Sequence, residues 1–85
     1  MNIAQARQFL KEENVPEWLY CFGGLGGGEC YGIEPSLIGW HVYFSERGSR
    51  RSVKEYESEE DAVKDFLTRI DRGLFWLEKR HLSRT

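Results

Sequence analysis

The chain has 85 residues, enough for one domain over positions 1–85 and too few for a second core. Its 40% hydrophobic and 14% aromatic content can fill a packed interior, which excludes a disordered chain. No apolar run approaches the ~20 residues of a bilayer span, and Met1-Asn2-Ile3-Ala4-Gln5 lacks the basic flank and apolar stretch of an export signal, so a soluble, cytoplasmic protein is expected.

The net charge of −2 argues against nucleic acid as a direct partner, because phosphate binding draws on a basic excess. The charge falls in blocks. Residues 1–46 hold six acids and two bases, 47–54 four bases, 55–65 six acids and one base, and 66–85 five bases and two acids. Alternating patches suit a few specific polar contacts better than attraction to a polyanion.

Asn2 is placed to cap a first helix whose Ile3, Ala6 and Leu10 form one stripe, with Phe9 beside it. Asn14 and Pro16 end that helix, since a residue before proline avoids the α region. The run Trp18-Leu19-Tyr20-Cys21-Phe22 reads as a strand. Gly23-Gly24-Leu25-Gly26-Gly27-Gly28 then reads as a wide turn leading into the alternating Glu29–Glu34, which predicts an antiparallel hairpin.

Past Pro35 and Gly39, Trp40, Val42 and Phe44 alternate with His41, Tyr43 and Ser45, the clearest period-two segment in the chain. After the turn Glu46-Arg47-Gly48-Ser49, Arg50 to Tyr56 predicts a polar edge strand whose basic residues discourage aggregation. Ser58 is a strong helix N-cap, with Glu59, Glu60 and Asp61 in the first turn where the helix dipole favours negative charge. From Ala62 through Val63, Phe66, Leu67, Ile70 and Leu74 to Leu77 the helical spacing is unbroken, which places Gly73 inside a long helix.

The expected architecture is α+β: a four-stranded antiparallel β-meander with an N-terminal and a C-terminal helix packed on one face, in the order α-β-β-β-β-α. The helices would cover Tyr31, Ile33, Trp40, Val42 and Phe44, with Trp40, Val42, Phe44, Phe66, Leu67 and Ile70 as the core. The face with His41, Tyr43 and Ser45 would stay open.

Few chemical motifs survive inspection. The glycine run has no Gly-Lys-Ser/Thr ending and no helix behind it, so it is a loop and not a phosphate cradle. Cys21 and Cys30 fall on two runs read as paired strands, and without an export signal the reduced pair is the reading favoured. Neither His41 nor His81 stands at a ligand-like spacing from a cysteine, so no metal and no other cofactor is expected. His41 with Glu46 and Arg47 would make a minimal acid–base nuclease, but no second catalytic histidine stands near. Arg47, Arg50 and Arg51 beside Tyr43 would hold single-stranded nucleic acid were they not followed by the acidic block. Phe75 and Trp76 fall partly off the helical stripe and would serve a dimer contact.

The stretch Trp40-His41-Val42-Tyr43-Phe44-Ser45-Glu46-Arg47-Gly48, a short polar strand, and then Tyr56-Glu57-Ser58-Glu59-Glu60-Asp61-Ala62 resembles small bacterial immunity proteins. Gly23-Gly24-Leu25 after a first strand and Tyr31-Gly32-Ile33-Glu34 extend the resemblance over roughly residues 18–67. It implies a non-enzymatic protein that neutralises a bacterial toxin domain, such as the C-terminal toxin of a contact-dependent growth inhibition system. Many such toxins are nucleases.

From the residues themselves, the expected partner-binding set is His41 and Tyr43 on the open face, Glu46 and Arg47 in the turn beside it, and Glu55, Glu57, Glu59 and Glu60 in the acidic block. Such a chain would act as a monomer or weak dimer, without contact to membrane or nucleic acid. The other classes are a small RNase-like enzyme using His41 and a homodimeric module using Phe75 and Trp76.

Overall fold

The computed structural model describes residues 1–24 and 29–81, with side chains through residue 73. Phe75 and Trp76 therefore lie outside the described side chains. The chain forms α1 (Ile3–Glu12), a 3-10 turn (Glu17–Leu19), β1 (Tyr20–Cys21), β2 (Cys30–Pro35), β3 (Trp40–Glu46), β4 (Ser49–Tyr56) and α2 (Glu59–His81). The α+β class is as expected from the sequence. No described helix is long and apolar enough to cross a membrane.

Both helices start where the capping residues dictate. The Asn2 side chain accepts the Gln5 amide and the Gln5 side chain accepts the Asn2 amide, a reciprocal capping box. Ser58 Oγ accepts the Asp61 amide at the start of α2. The two starts are tied together, because Glu59 accepts the Ile3 amide at 2.8 Å. α1 stops at Asn14, whose φ of 56° is the left-handed conformation that asparagine tolerates.

The sheet order is β1-β2-β3-β4. β2, β3 and β4 form the expected antiparallel meander, but β1 pairs with β2 in parallel, Tyr20 opposite Tyr31 and Cys21 opposite Gly32. The predicted first hairpin is thereby corrected. A parallel neighbour demands that the chain return to the strand's starting end. With β1 only two residues long, the start of β2 stands only ~7 Å back along the sheet from the end of β1. Trp18, read as part of this strand, sits in the 3-10 turn and is exposed. In β4, Ser52 (φ 53°) and Val53 together oppose Tyr43, a bulge whose Ser52 carbonyl accepts from Arg69 at 2.9 Å.

α2 lies across the face carrying Ile33 and Val42, and α1 packs against α2. Ala6, Leu10, Ile33, Val42, Val63, Phe66 and Ile70 are buried in one cluster, and Trp40 and Leu67 pack at its margin. Phe44, expected in this core, is only half-buried and leans on Tyr31 with ring centres 5.1 Å apart. Gly73 does lie inside α2, and the Tyr31 ring explains it: a Cβ there would sit 3.0 Å from Tyr31 Cε2.

Candidate functional site

The opposite face of the sheet is not uniformly open. Alternation puts Cys21 of β1, Cys30, Gly32 and Glu34 of β2, His41, Tyr43 and Ser45 of β3, and Arg50 and Glu55 of β4 on this side. Tyr43 and Ser45 are 0% exposed and Cys30 is 2% exposed, although neither helix reaches them. The expectation that Tyr43 is a surface anchor is therefore corrected.

The cover over Tyr43 comes from the glycine segment and from β4. The Tyr43 hydroxyl donates to the Gly24 carbonyl, and the Gly24 amide donates to Glu34 at 3.3 Å. Gly23 and Gly24 have φ of 104° and 71°, the left-handed region that glycine enters without strain. The Arg50 guanidinium lies 5.1 Å from the Tyr43 ring centre and bonds Glu34 at 3.0 Å. Burial, with Cys21 and Glu34 adding to it, raises the Tyr43 hydroxyl above its ordinary pKa, so it stays a hydrogen-bond donor.

Beyond Tyr43 the face opens into a polar network. His41 Nε2 lies 3.2 Å from Glu55, which also accepts from the Ser36 hydroxyl at 3.0 Å, and His41 Nδ1 lies 3.9 Å from Glu34. Both ring nitrogens thus face carboxylates, and Glu34 also binds Arg50. His41, Glu34, Glu55 and Arg50 are thus joined in one network of ion pairs and hydrogen bonds on this face. Among the described residues no three His, Cys, Asp or Glu side chains are arranged to hold a metal ion.

The residues expected to form one partner surface separate into two places. β3 runs from Trp40, opposite Tyr56, to Glu46, opposite Ser49. Glu46 and Arg47 therefore lie about 20 Å along the strand from Glu55 and Glu57. Glu46 is bound to Arg51 at 2.9 Å, and Arg47 (φ 50°) is exposed in the β3–β4 turn. His41 and Glu55 adjoin in the network, while Glu57 and Glu60 are exposed where β4 runs into α2. Glu59 is held by α1 and serves the fold.

Sequence reasoning missed the feature that adjoins this acidic end. In the β2–β3 turn, Leu37 is fully exposed and Ile38 is 62% exposed. The turn is nonetheless fixed. Ser36 and Gly39 bond each other twice, through the Ser36 amide to the Gly39 carbonyl (2.8 Å) and the Gly39 amide to Ser36 Oγ (3.1 Å). Gly39 lies so close to the Tyr56–Glu57 backbone that a Cβ would overlap it. Two apolar side chains are thus presented to solvent on a rigid support, with Glu55 and Glu57 alongside. The signal in the sequence was Leu37-Ile38 between Ser36 and Gly39, an apolar pair where turns carry polar residues.

No family model matches the chain, and no curated protein or solved structure matches it.

Proposed function

We propose that this protein is an immunity protein that binds a bacterial toxin domain, a nuclease, and blocks it in the cytoplasm. The observation that carries the reading is the fixed Leu37–Ile38 turn beside Glu55 and Glu57. Exposed apolar residues flanked by charge are the layout of an interface centre beside a polar rim, and a fixed turn loses little entropy on binding. Leu37 and Ile38 fill an apolar recess on the toxin, and the acidic rim meets the Lys, Arg or His side chains that would otherwise hold substrate phosphates. The sequence resemblance over residues 18–67 supports the same reading.

The test is binding and protection. The toxin domain encoded immediately upstream should bind the purified chain and lose its activity when mixed with it. Absence of binding, or toxicity undiminished on co-expression, would refute the proposal. An RNase reading of His41 makes the opposite demand: the purified chain alone should cleave RNA, and His41→Ala should abolish the cleavage.

A further inference from the structure

We infer that Cys21 and Cys30 form a covalent redox site, a thiol pair that takes a low-molecular-weight disulfide as oxidant and closes into an intramolecular cross-link. The two sulfurs lie 3.3 Å apart, in contact and unbonded, on the face of the sheet away from the helices. They come from adjacent parallel strands and stand nine positions apart in the chain.

The two thiols differ in a way that orders the steps. Cys30 is 2% exposed, whereas Cys21 is only half-buried and reachable from solvent. Cys21 thiolate attacks one sulfur of R–S–S–R, forming Cys21–S–S–R and releasing RS⁻. Cys30 thiolate, already in contact with the Cys21 sulfur, attacks it and expels the second RS⁻. The two thiol protons end on the two released thiolates. Two protein thiols are oxidised by two electrons in all, and one small disulfide is reduced to two small thiols.

Bond formation needs the sulfurs to approach to ~2.0 Å, so one strand must shift. β1 is the one free to do so. It is a two-residue edge strand, and Gly23 and Gly24 follow it directly in left-handed conformations. The cross-link would also tether a surface that depends on Gly24. The Gly24 carbonyl receives both the Tyr43 hydroxyl and, at 3.9 Å, the Cys21 thiol. Joining Cys21 to Cys30 withdraws that thiol donor while fixing the strand from which Gly24 extends. This inference does not depend on the proposed function.

The experiment treats the reduced full-length chain with excess oxidised glutathione and reads intact mass and free thiols. A monomer lighter by two hydrogens, with both thiols lost and no glutathione retained, is the expected product. Cys30→Ala should stop at a chain carrying one glutathione, on Cys21. Wild-type protein that keeps both thiols, retains glutathione, or cross-links only between chains would overturn the inference. The wild-type result alone decides the matter, so a Cys30→Ala chain that failed to fold would leave the test intact.

Discussion

The Tyr43 ring lies over Gly32, its cross-strand partner, so closely that a Cβ on residue 32 would overlap the ring carbons Cε2 and Cζ. An aromatic ring thus reaches full burial on a sheet face that no helix covers. Gly32→Ala should force the ring out of place and destabilise the protein by about 1–3 kcal/mol, the usual range for overpacking. A denaturation midpoint equal to wild type would show that the ring has room to move.

The hydroxyl of Tyr43 is bonded to the Gly24 carbonyl. Tyr43→Phe keeps the ring and removes the bond to the Gly24 carbonyl, and should cost about 1 kcal/mol. Amide hydrogen exchange at Gly24 should accelerate in the same variant. Toxin affinity lowered with no loss of stability would instead place Tyr43 in the interface.

Charge and apolar contact should separate in the binding kinetics. Leu37→Ser with Ile38→Ser should leave stability within about 0.5 kcal/mol of wild type, because both side chains are exposed. The same change should speed toxin dissociation by roughly thirtyfold, equivalent to about 2 kcal/mol. Glu57→Lys should slow association, most visibly at low salt, while Glu46→Lys at the far end of the hairpin should not. Equal effects from the two reversals would mean that net charge, and not this surface, governs encounter.

Alkaline titration should report the Tyr56–Asp65 bond. Burial, and then the 2.8 Å hydrogen bond to Asp65, push the Tyr56 hydroxyl up to about 12 from its ordinary value near 10. A raised folded pKa means that the folded state holds the proton longer. Its contribution is therefore complete below pH ~10 and fades as pH rises through about 12. The stability difference between wild type and Tyr56→Phe should be constant up to pH ~10 and shrink above it. A difference that stays constant to pH 12 would contradict this.

Cross-linking of the cysteine pair should be slow at neutral pH. Burial, together with the hydrogen bond and charge of Cys30, pushes the Cys21 thiol up to about 11, and only the thiolate attacks. The rate with oxidised glutathione should rise about tenfold per pH unit between pH ~7 and ~9. A rate independent of pH would assign the first attack to another group.

Much of the fold was legible because it rests on local rules. Asn2 and Ser58 carry the side chains that hold the first amides of a helix, and both helices begin beside them. The alternation through residues 40–45 separated Val42 from Tyr43 onto opposite faces. The break in regularity at Gly73 did not interrupt the apolar spacing, and α2 passes through it. The acidic end of the candidate site was visible as a charge block, and Glu55 and Glu57 within it are exposed.

Tertiary structure decided what local pattern leaves open. Period-two alternation names two faces, but nothing in it states which is covered. The return of Gly24 onto Tyr43 buried a residue that composition alone would leave in water. The sequence placed a turn after Cys21, and only the pairing of Tyr20 with Tyr31 made β1 run parallel to β2 in place of a hairpin. Glu46 and Glu57 carry the same charge in the sequence, yet antiparallel pairing sends them to opposite ends of one hairpin. The sequence alone determined where both helices and the strands β2, β3 and β4 lie and where the charge is concentrated, because those depend on neighbours a few residues away. Which side chains meet depends on strand direction and register, and these are set by contacts between residues far apart in the chain.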